Sequence, residues 1–415
     1  MHPAGMIHVV GAGLAGLSAA VTLAAQGARV VLSEAARQAG GRCRSYHDSQ
    51  LDMTIDNGNH LVLSGNPAVR RFLGAIGAQD GLAGPSAAAF PFFDVATGKS
   101  WTLRPNDGLI PWWILDASRR VPDTSIGEYV AIASLMRRHP GRRIDEVLPC
   151  RGALWERFLR PLFVSVLNTP PEEGSADLAG AVMRETFAKG GRSIHPRVAT
   201  PSLAAAFVDP ALERLRRAGA DIRMGRRLAG LKLQDGKVTS LAFTDGEQAL
   251  GPDDRVILAV PPWTAQELLP GLMVPDAFCA IVNAHFKCVP PHGLPMIVGL
   301  IGGTAEWVFA FSDRLSVTVS AADRLVDIES ETLAQTLWRD VAAVHSLPET
   351  MPPCRIVKEK RATFAATPAQ NGRRPAVVTR WSNLFLAGDW TDTGLPATIE
   401  GALRSGERAA ALAFA

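Results

Sequence analysis

Three glycines set the first chemistry this chain can do. Gly11-Ala12-Gly13-Leu14-Ala15-Gly16 spaces them as a phosphate cradle requires. Gly11 permits a tight turn, Gly13 lets main-chain N–H groups approach a diphosphate, and Gly16 lets a helix lie close against a strand. A helix opening at Leu14 turns its partial positive charge towards the phosphates. Glu34, followed by Ala35, stands 21 positions beyond Gly13, near the separation of about 20 at which an acid meets ribose hydroxyls. An acid at this place disfavours a 2′-phosphate.

Three further segments carry the residue types that complete such a site. Arg37-Gln38-Ala39-Gly40-Gly41-Arg42 follows the acid; its paired glycines allow close approach at Gly41, and Arg42 can bond phosphate oxygens or a flavin edge. Ile55-Asp56-Asn57-Gly58-Asn59-His60 is a turn crowded with short polar side chains. Asn57, Gly58 and Asn59 are expected to present N–H groups to a flavin ring, although Asn-Gly also favours a plain β-turn. Near the C-terminus, Asn383-Leu384-Phe385-Leu386-Ala387-Gly388-Asp389-Trp390-Thr391 reads as a buried strand ending at Gly388. Asp389 is placed to accept from ribityl hydroxyls. A helix is expected from Pro396 to about Ala413, with Pro396 in its first turn and Ala397, Thr398 and Ile399 facing the flavin. Its dipole would stabilise negative charge on the reduced ring. Together with the first fingerprint this points to FAD, and it is expected to be non-covalent because no cysteine follows Cys354.

The elements that must position these residues are legible in part. Met6–Val10 is a short apolar run, residues 14–26 are rich in Ala and Leu, and residues 28–33 suit a doubly buried strand. Leu228, which opens an alternating stretch before a turn at Asp235-Gly236, is expected beside the nucleotide; residues 255–260 and 384–387 supply further strands. Between them lie two long insertions. The first has helical spacing (Trp155, Phe158, Leu159, Leu162, Phe163, Val166). The second has strand-like runs at 296–301, 307–311 and 315–320, then a helix around 327–344. The expectation is an α/β fold, a Rossmann-like FAD domain made of 1–84, 201–269 and 379–415. A mixed substrate domain made of 85–200 and 270–378 interrupts it.

Composition narrows the class. With 415 residues, 47% of them hydrophobic and 20% charged, the chain is ordinary globular material, long enough for two domains. A net charge of +3 gives no reason to expect nucleic acid. Cys43, Cys150, Cys279, Cys288 and Cys354 form no CxxC pair, so neither a disulfide framework nor a metal site is expected, and a reducing cytosol is. The first five residues lack a basic leader and no apolar run reaches about 18 residues, so a soluble or peripheral protein is expected. No second GxGxxG follows a strand, so no NAD(P)H domain is expected. Nothing in the sequence fixes an oligomeric state.

With these motifs the chain resembles the FAD-dependent amine oxidase/phytoene desaturase superfamily, and within it the squalene-associated branch, the hydroxysqualene dehydroxylases of hopanoid biosynthesis. The flavin motifs are shared by the whole superfamily. The branch is carried by Leu167-Asn168-Thr169-Pro170-Pro171-Glu172, Ile281-Val282-Asn283-Ala284-His285-Phe286, Glu306-Trp307-Val308-Phe309 and Arg361-Ala362-Thr363-Phe364. The resemblance implies reduction: hydride from flavin N5 to an allylic carbon of hydroxysqualene as its hydroxyl leaves as water, giving squalene. Such chemistry needs a proton donor and a dry pocket that tolerates an allylic cation. Candidates for the acid are His60, His285 and Glu400, with a hydrogen-bonded core histidine the competing reading at 285 and a helix cap at 400. Asn168 and Asn283 are candidates for the substrate hydroxyl. Phe286, Trp307, Phe309, Phe311 and Trp390 are candidates for the aromatic wall, with core packing the competing reading for each. Residues 109–115, with Arg119 and Arg120, read either as a segment dipping into a membrane interface or as a buried helix.

Three rivals share the fold. A carotenoid-type desaturase runs electrons the other way. Amine oxidases often flank the flavin with tyrosines, and this chain has only Tyr46 and Tyr129, both N-terminal. Carriers resembling Rab GDP-dissociation inhibitors use the fold without redox chemistry, which the intact Glu34, Arg42 and Asp389 set argues against.

Overall fold

The structure, a computed structural model, describes residues 5–415; residues 1–4, and with them most of the expected leaderless start, lie outside the described residues. A five-stranded parallel sheet runs in the order Asp221–Arg223, Arg29–Ser33, Met6–Val10, Arg255–Leu258, Leu384–Leu386. Its central strands are mostly apolar because both faces are covered, as parallel sheets require, with His8 and Ser33 the buried polar exceptions. The helix Leu14–Ala25 follows the first strand directly. It packs against the C-terminal helix Ile399–Phe414 at very short range, since a Cβ on Gly406 would meet Ala15 O at 2.2 Å. Ser18 Oγ donates to Leu403 O across the same contact.

The C-terminal helix begins three residues later than the sequence suggests. Thr398 is its N-cap, its side chain accepting from Gly401 N, so Pro396 is not in the first turn. The cap wins because its hydroxyl satisfies a helix donor that a proline ring cannot.

The second sheet has seven strands in the order Cys354–Phe364, Phe278–Phe286, Leu315–Val319, Trp307–Ala310, Ile297–Ile301, Phe90–Asp94, Ser100–Leu103. Every pairing is antiparallel except Ile297–Ile301 with Phe90–Asp94. Alternation sends its residues to two different places. Val282, Ala284, Phe286, Val308 and Val317 form a core with the helix Ser330–His345. Asn283, His285, Trp307, Phe309, Ser316 and Thr318 share the opposite face by register. Phe286 is therefore not in the pocket wall: its ring lies tilted against Trp338 with centroids 5.1 Å apart, and burying it contributes about 1.5–3 kcal/mol to the fold.

Among the described residues no helix is long and apolar enough to cross a membrane. The expected helix at 155–166 is present as a π-helical turn, Trp155–Leu159, running into Arg160–Leu167.

Candidate cofactor and active site

The diphosphate cradle is open where its chemistry needs it. A Cβ on Gly13 would find nothing within 4 Å, and one on Gly41 only Gly13 Cα at 3.5 Å. Gly16 is the opposite case, because its Cβ would meet Gly11 O at 1.8 Å. No side chain caps the N-terminus of Leu14–Ala25, so the N–H groups of Leu14, Ala15 and Gly16 point into the open space with the helix dipole behind them. Glu34 closes the far side. Its Oε2 accepts from Ala12 N at 2.7 Å and its Oε1 from Ala36 N at 2.8 Å, while Ala35 is exposed between them. Leu228 opens its strand with the side chain buried in the core, so only its main chain is left to meet a nucleotide.

At the other end, Arg42 reaches across to Asp389. Nη2 donates to both carboxylate oxygens at 2.7 Å, and Nη1 to Ala362 O at 2.6 Å. Burial works against the guanidinium charge, but Asp389 holds the Arg42 pKa above its usual value. Behind Asp389 lies Arg374, whose Nη2 donates to Asp389 O, Thr391 O and Thr393 Oγ1. Burial lowers its pKa to about 10. Gly388 turns the chain tightly here, and Trp390 Nε1 donates to Val260 O at 2.9 Å.

The Asn57–His60 loop lies against the polar face of the seven-stranded sheet. Asn59 N donates to Asn283 Oδ1 at 3.3 Å, and Asn59 Nδ2 donates to Thr318 Oγ1 at 3.1 Å. Thr318 Oγ1 donates to Asn283 Oδ1 at 2.8 Å. Asn59 Oδ1 is buried without a partner. His60 Nδ1 lies 3.1 Å from Gly58 O, and a carbonyl only accepts, so Nδ1 carries the proton and Nε2 is the free acceptor. Burial lowers the His60 pKa, so the ring is neutral at neutral pH. Trp307, Phe309 and Trp390 join one apolar cluster with Phe92 and Phe158, which continues the wall from this polar patch.

Several expected residues have other work. Glu400 is a helix cap: its carboxylate accepts from Ala68 N and Val69 N, each at 3.1 Å, and pairs with Arg404 Nε at 2.6 Å. Its carboxylate oxygens are thus turned to the two helix donors and to Arg404. His285 is fully buried, bonded through Nδ1 to Ser316 Oγ at 2.8 Å, with its pKa lowered to about 4 by burial and by Arg314. It is the core histidine of the competing reading. Asn168 cross-links distant segments: it donates to Cys279 O and Thr363 Oγ1 and accepts from Ala321 N.

Sequence reasoning passed over three groups. Thr318 is the centre of the polar patch, but alternation alone does not say which face of a strand meets a distant loop. Glu359 accepts from Asn57 Nδ2 at 3.2 Å and stands two residues before Arg361-Ala362-Thr363-Phe364 in the same strand. Glu306 directly precedes Trp307. Its Oε2 accepts from Ser320 N at 2.7 Å, and burial pushes it up to about 7.

An open glycine cradle at an uncapped helix, an acid fixed at the end of the second strand, and a closing segment from the last strand define an FAD-binding oxidoreductase of the amine oxidase type. A family model described as "Flavin containing amine oxidoreductase" matches residues 14–413. Over 411 residues the chain is 50% identical to the hydroxysqualene dehydroxylase of Rhodopseudomonas palustris, covering 99% of this chain and 98% of that one. The 15-cis-phytoene desaturase of Arabidopsis thaliana is more distant, 24% identical over 97% of this chain and 78% of its own. Among solved structures, cyclohexylamine oxidase from Brevibacterium oxydans superposes with a TM-score of 0.73 at 14% identity, covering 99% of this chain and 98% of that chain, and so speaks for the fold alone. The chain belongs to the flavin-containing amine oxidoreductases, in the branch of the hydroxysqualene dehydroxylases.

Proposed function

We propose that the protein is a hydroxysqualene dehydroxylase: it reduces the allylic alcohol hydroxysqualene to squalene, with loss of water. The observation that carries this reading is the half-identity, over nearly the full length of both chains, to an enzyme of that name. FAD, when bound and reduced, supplies the hydride. The chain's own residues do the rest. The Leu14–Gly16 N–H groups and Arg42 would hold the diphosphate and the flavin edge, and Glu34 the ribose. Asn59, Asn283 and Thr318 would bond the substrate hydroxyl, and Asn59 Oδ1 is the acceptor with nothing yet to accept. His60 Nε2, once protonated, would give its proton to the leaving oxygen. Trp307, Phe309 and Trp390 would exclude water and face the developing cation.

The domain division follows the two sheets. Segments 1–84, 201–269 and 379–415 supply every strand of the parallel sheet, and 85–200 and 270–378 every strand of the seven-stranded one, which supports assigning them to cofactor and substrate respectively. All five cysteines are free, which suits the cytoplasm, and a lipid substrate suits a peripheral place on the membrane's inner face.

The test is anaerobic mixing of FADH2-loaded protein with hydroxysqualene. Squalene in amounts stoichiometric with flavin is the expected product. No squalene, together with dehydrogenation of phytoene by the oxidised form, would replace this reading with the desaturase.

A further inference from the structure

Six of the twelve large apolar side chains that are exposed among the described residues lie between positions 109 and 130: Leu109, Ile110, Trp112, Leu115, Ile126 and Val130. Ile110 is 78% exposed and Leu109 72%. Burial as a helix, the competing reading of this segment, is therefore excluded for its outer residues. A folded chain gains nothing by holding such side chains in water, and a patch of this kind marks a surface that something apolar covers.

The patch is built rather than loose. Asn106 ties the segment from within: its Nδ2 donates to Gly108 O at 3.3 Å and Ile110 O at 3.0 Å, and its Oδ1 accepts from Trp113 N at 3.3 Å. Arg120 Nη1 donates to Ile114 O at 3.0 Å. Trp113 turns inward, edge-on to Tyr129 at 5.3 Å, which anchors Trp112–Leu115 to the helix Ile126–Ala131. These main-chain acceptors are bonded inside the protein, a condition for entering a medium that offers few donors.

Charge selects the medium. Arg104, Arg119 and Arg120 belong to this segment, with Arg119 stacked over the Trp112 ring at 4.7 Å and bonded to Arg104 O. The carboxylates nearby are turned to local donors. Asp116 accepts from Ser118 N and Oγ, and Glu128 from Ser125 N and Oγ; Asp107 remains exposed. Aromatic and aliphatic side chains beside arginines match the depth and sign of an anionic lipid surface. Behind the patch, Trp113 and Tyr129 belong to the same apolar cluster as Phe158, Phe92, Trp307 and Phe309. Apolar packing is thus continuous from the exposed patch to the wall of the candidate active site.

We propose that residues 109–115, with Ile126 and Val130, form a docking surface for an anionic bilayer, through which the enzyme takes its apolar substrate directly from the membrane. This rests on the reading of the substrate as a triterpene lipid.

The test uses the full-length FAD-loaded protein and vesicles made of equal parts phosphatidylcholine and phosphatidylglycerol. Wild type floats with these vesicles, and the triple variant L109S/I110S/W112S lowers that partitioning about tenfold or more. Its melting temperature and its turnover of detergent-solubilised hydroxysqualene stay unchanged, because the three side chains are half or more exposed. R119Q/R120Q weakens the anionic-vesicle binding and its salt sensitivity. Failure of wild type to float, or equal flotation of the triple variant, overturns the proposal. So does a vesicle-free dimer that the triple variant converts to monomer, which would make the patch a contact between copies. Flotation without squalene formation from detergent-solubilised substrate would remove the dehydroxylase reading and leave the docking surface standing.

Discussion

Arg42 and Asp389 are 347 positions apart in sequence and share a forked contact, with one guanidinium nitrogen 2.7 Å from each carboxylate oxygen. The arginine is still partly open, whereas the carboxylate is buried. This joins the loop after the second strand to the segment after the last one, so the pair adds a direct side-chain tie between the two halves of the candidate flavin site.

Arg42→Met therefore acts twice. It removes a donor to the cofactor and leaves the Asp389 carboxylate buried without its partner. Charge-assisted bonds of this kind contribute about 1.5–3 kcal/mol each, so FAD affinity is expected to fall at least about tenfold. The flavin-to-protein absorbance ratio after gel filtration, with a titration of added FAD, checks this. Undiminished flavin content would mean that the pair serves the fold alone.

Gly13 and Gly16 make a paired test. Gly13→Ala puts a methyl group into open space that the diphosphate is expected to occupy, on a backbone any residue adopts. Its melting temperature should stay near wild type while FAD binding weakens about tenfold or more. Gly16→Ala drives a methyl group onto Gly11 O and should cost several kcal/mol of stability, about the upper range for single substitutions. The same loss in both variants would contradict the assignment of the open space.

Glu400→Gln separates a structural carboxylate from a catalytic one. It weakens the cap on Ala68 N and Val69 N and breaks the pair with Arg404, at a cost of about 1–3 kcal/mol. The expected result is a lower denaturation midpoint with kcat unchanged. A lost kcat at unchanged stability would return Glu400 to the acid's role.

The glycine turn before the first helix, the place of Glu34 and Arg42 after the second strand, and the strand before Gly388 are legible in the sequence, because each is set by spacing along one short stretch. The mostly apolar runs at 6–10 and 29–33 point to the parallel sheet for the same reason. Phe286 and Asn283 were not separable in this way. They sit three residues apart in one strand and face opposite sides, and only the helix Ser330–His345 decides which side is core. Glu400 looked catalytic because it follows the flavin-end motif, yet its partners are the first N–H groups of a helix more than 300 positions earlier. The cross-link made by Asn168 is hidden for a similar reason, since all its partners come from distant segments.

Acid should weaken the fold through its buried histidines. Burial lowers His345, at the end of its helix, to about 4, and its Nε2 has no partner. Between about 6.5 and about 4 the unfolded chain binds a proton that the folded chain refuses, so stability falls as pH drops through that window. At pH 5 the gap of about 1.5 units is about 2 kcal/mol for this residue. His345→Leu should recover that amount in urea denaturation at pH 5 and change little at pH 8.

Turnover should respond to pH in the opposite direction, because it depends on a protonated donor rather than on the fold. If His60 delivers the proton, its lowered pKa leaves it mostly neutral at neutral pH, and kcat rises as pH falls from 8 towards 6. In His60→Gln that slope should disappear, with kcat reduced about 100-fold or more. An unchanged profile in the variant assigns the proton to another group.

The contact between Gly406 and Ala15 ties the last helix to the first at a distance only glycine permits. During synthesis the cradle residues emerge long before the helix that backs them. The pocket therefore cannot be completed until residues 399–414 have left the ribosome. A transcript truncated before position 399 would yield a protein with most of both sheets and no hold on its cofactor.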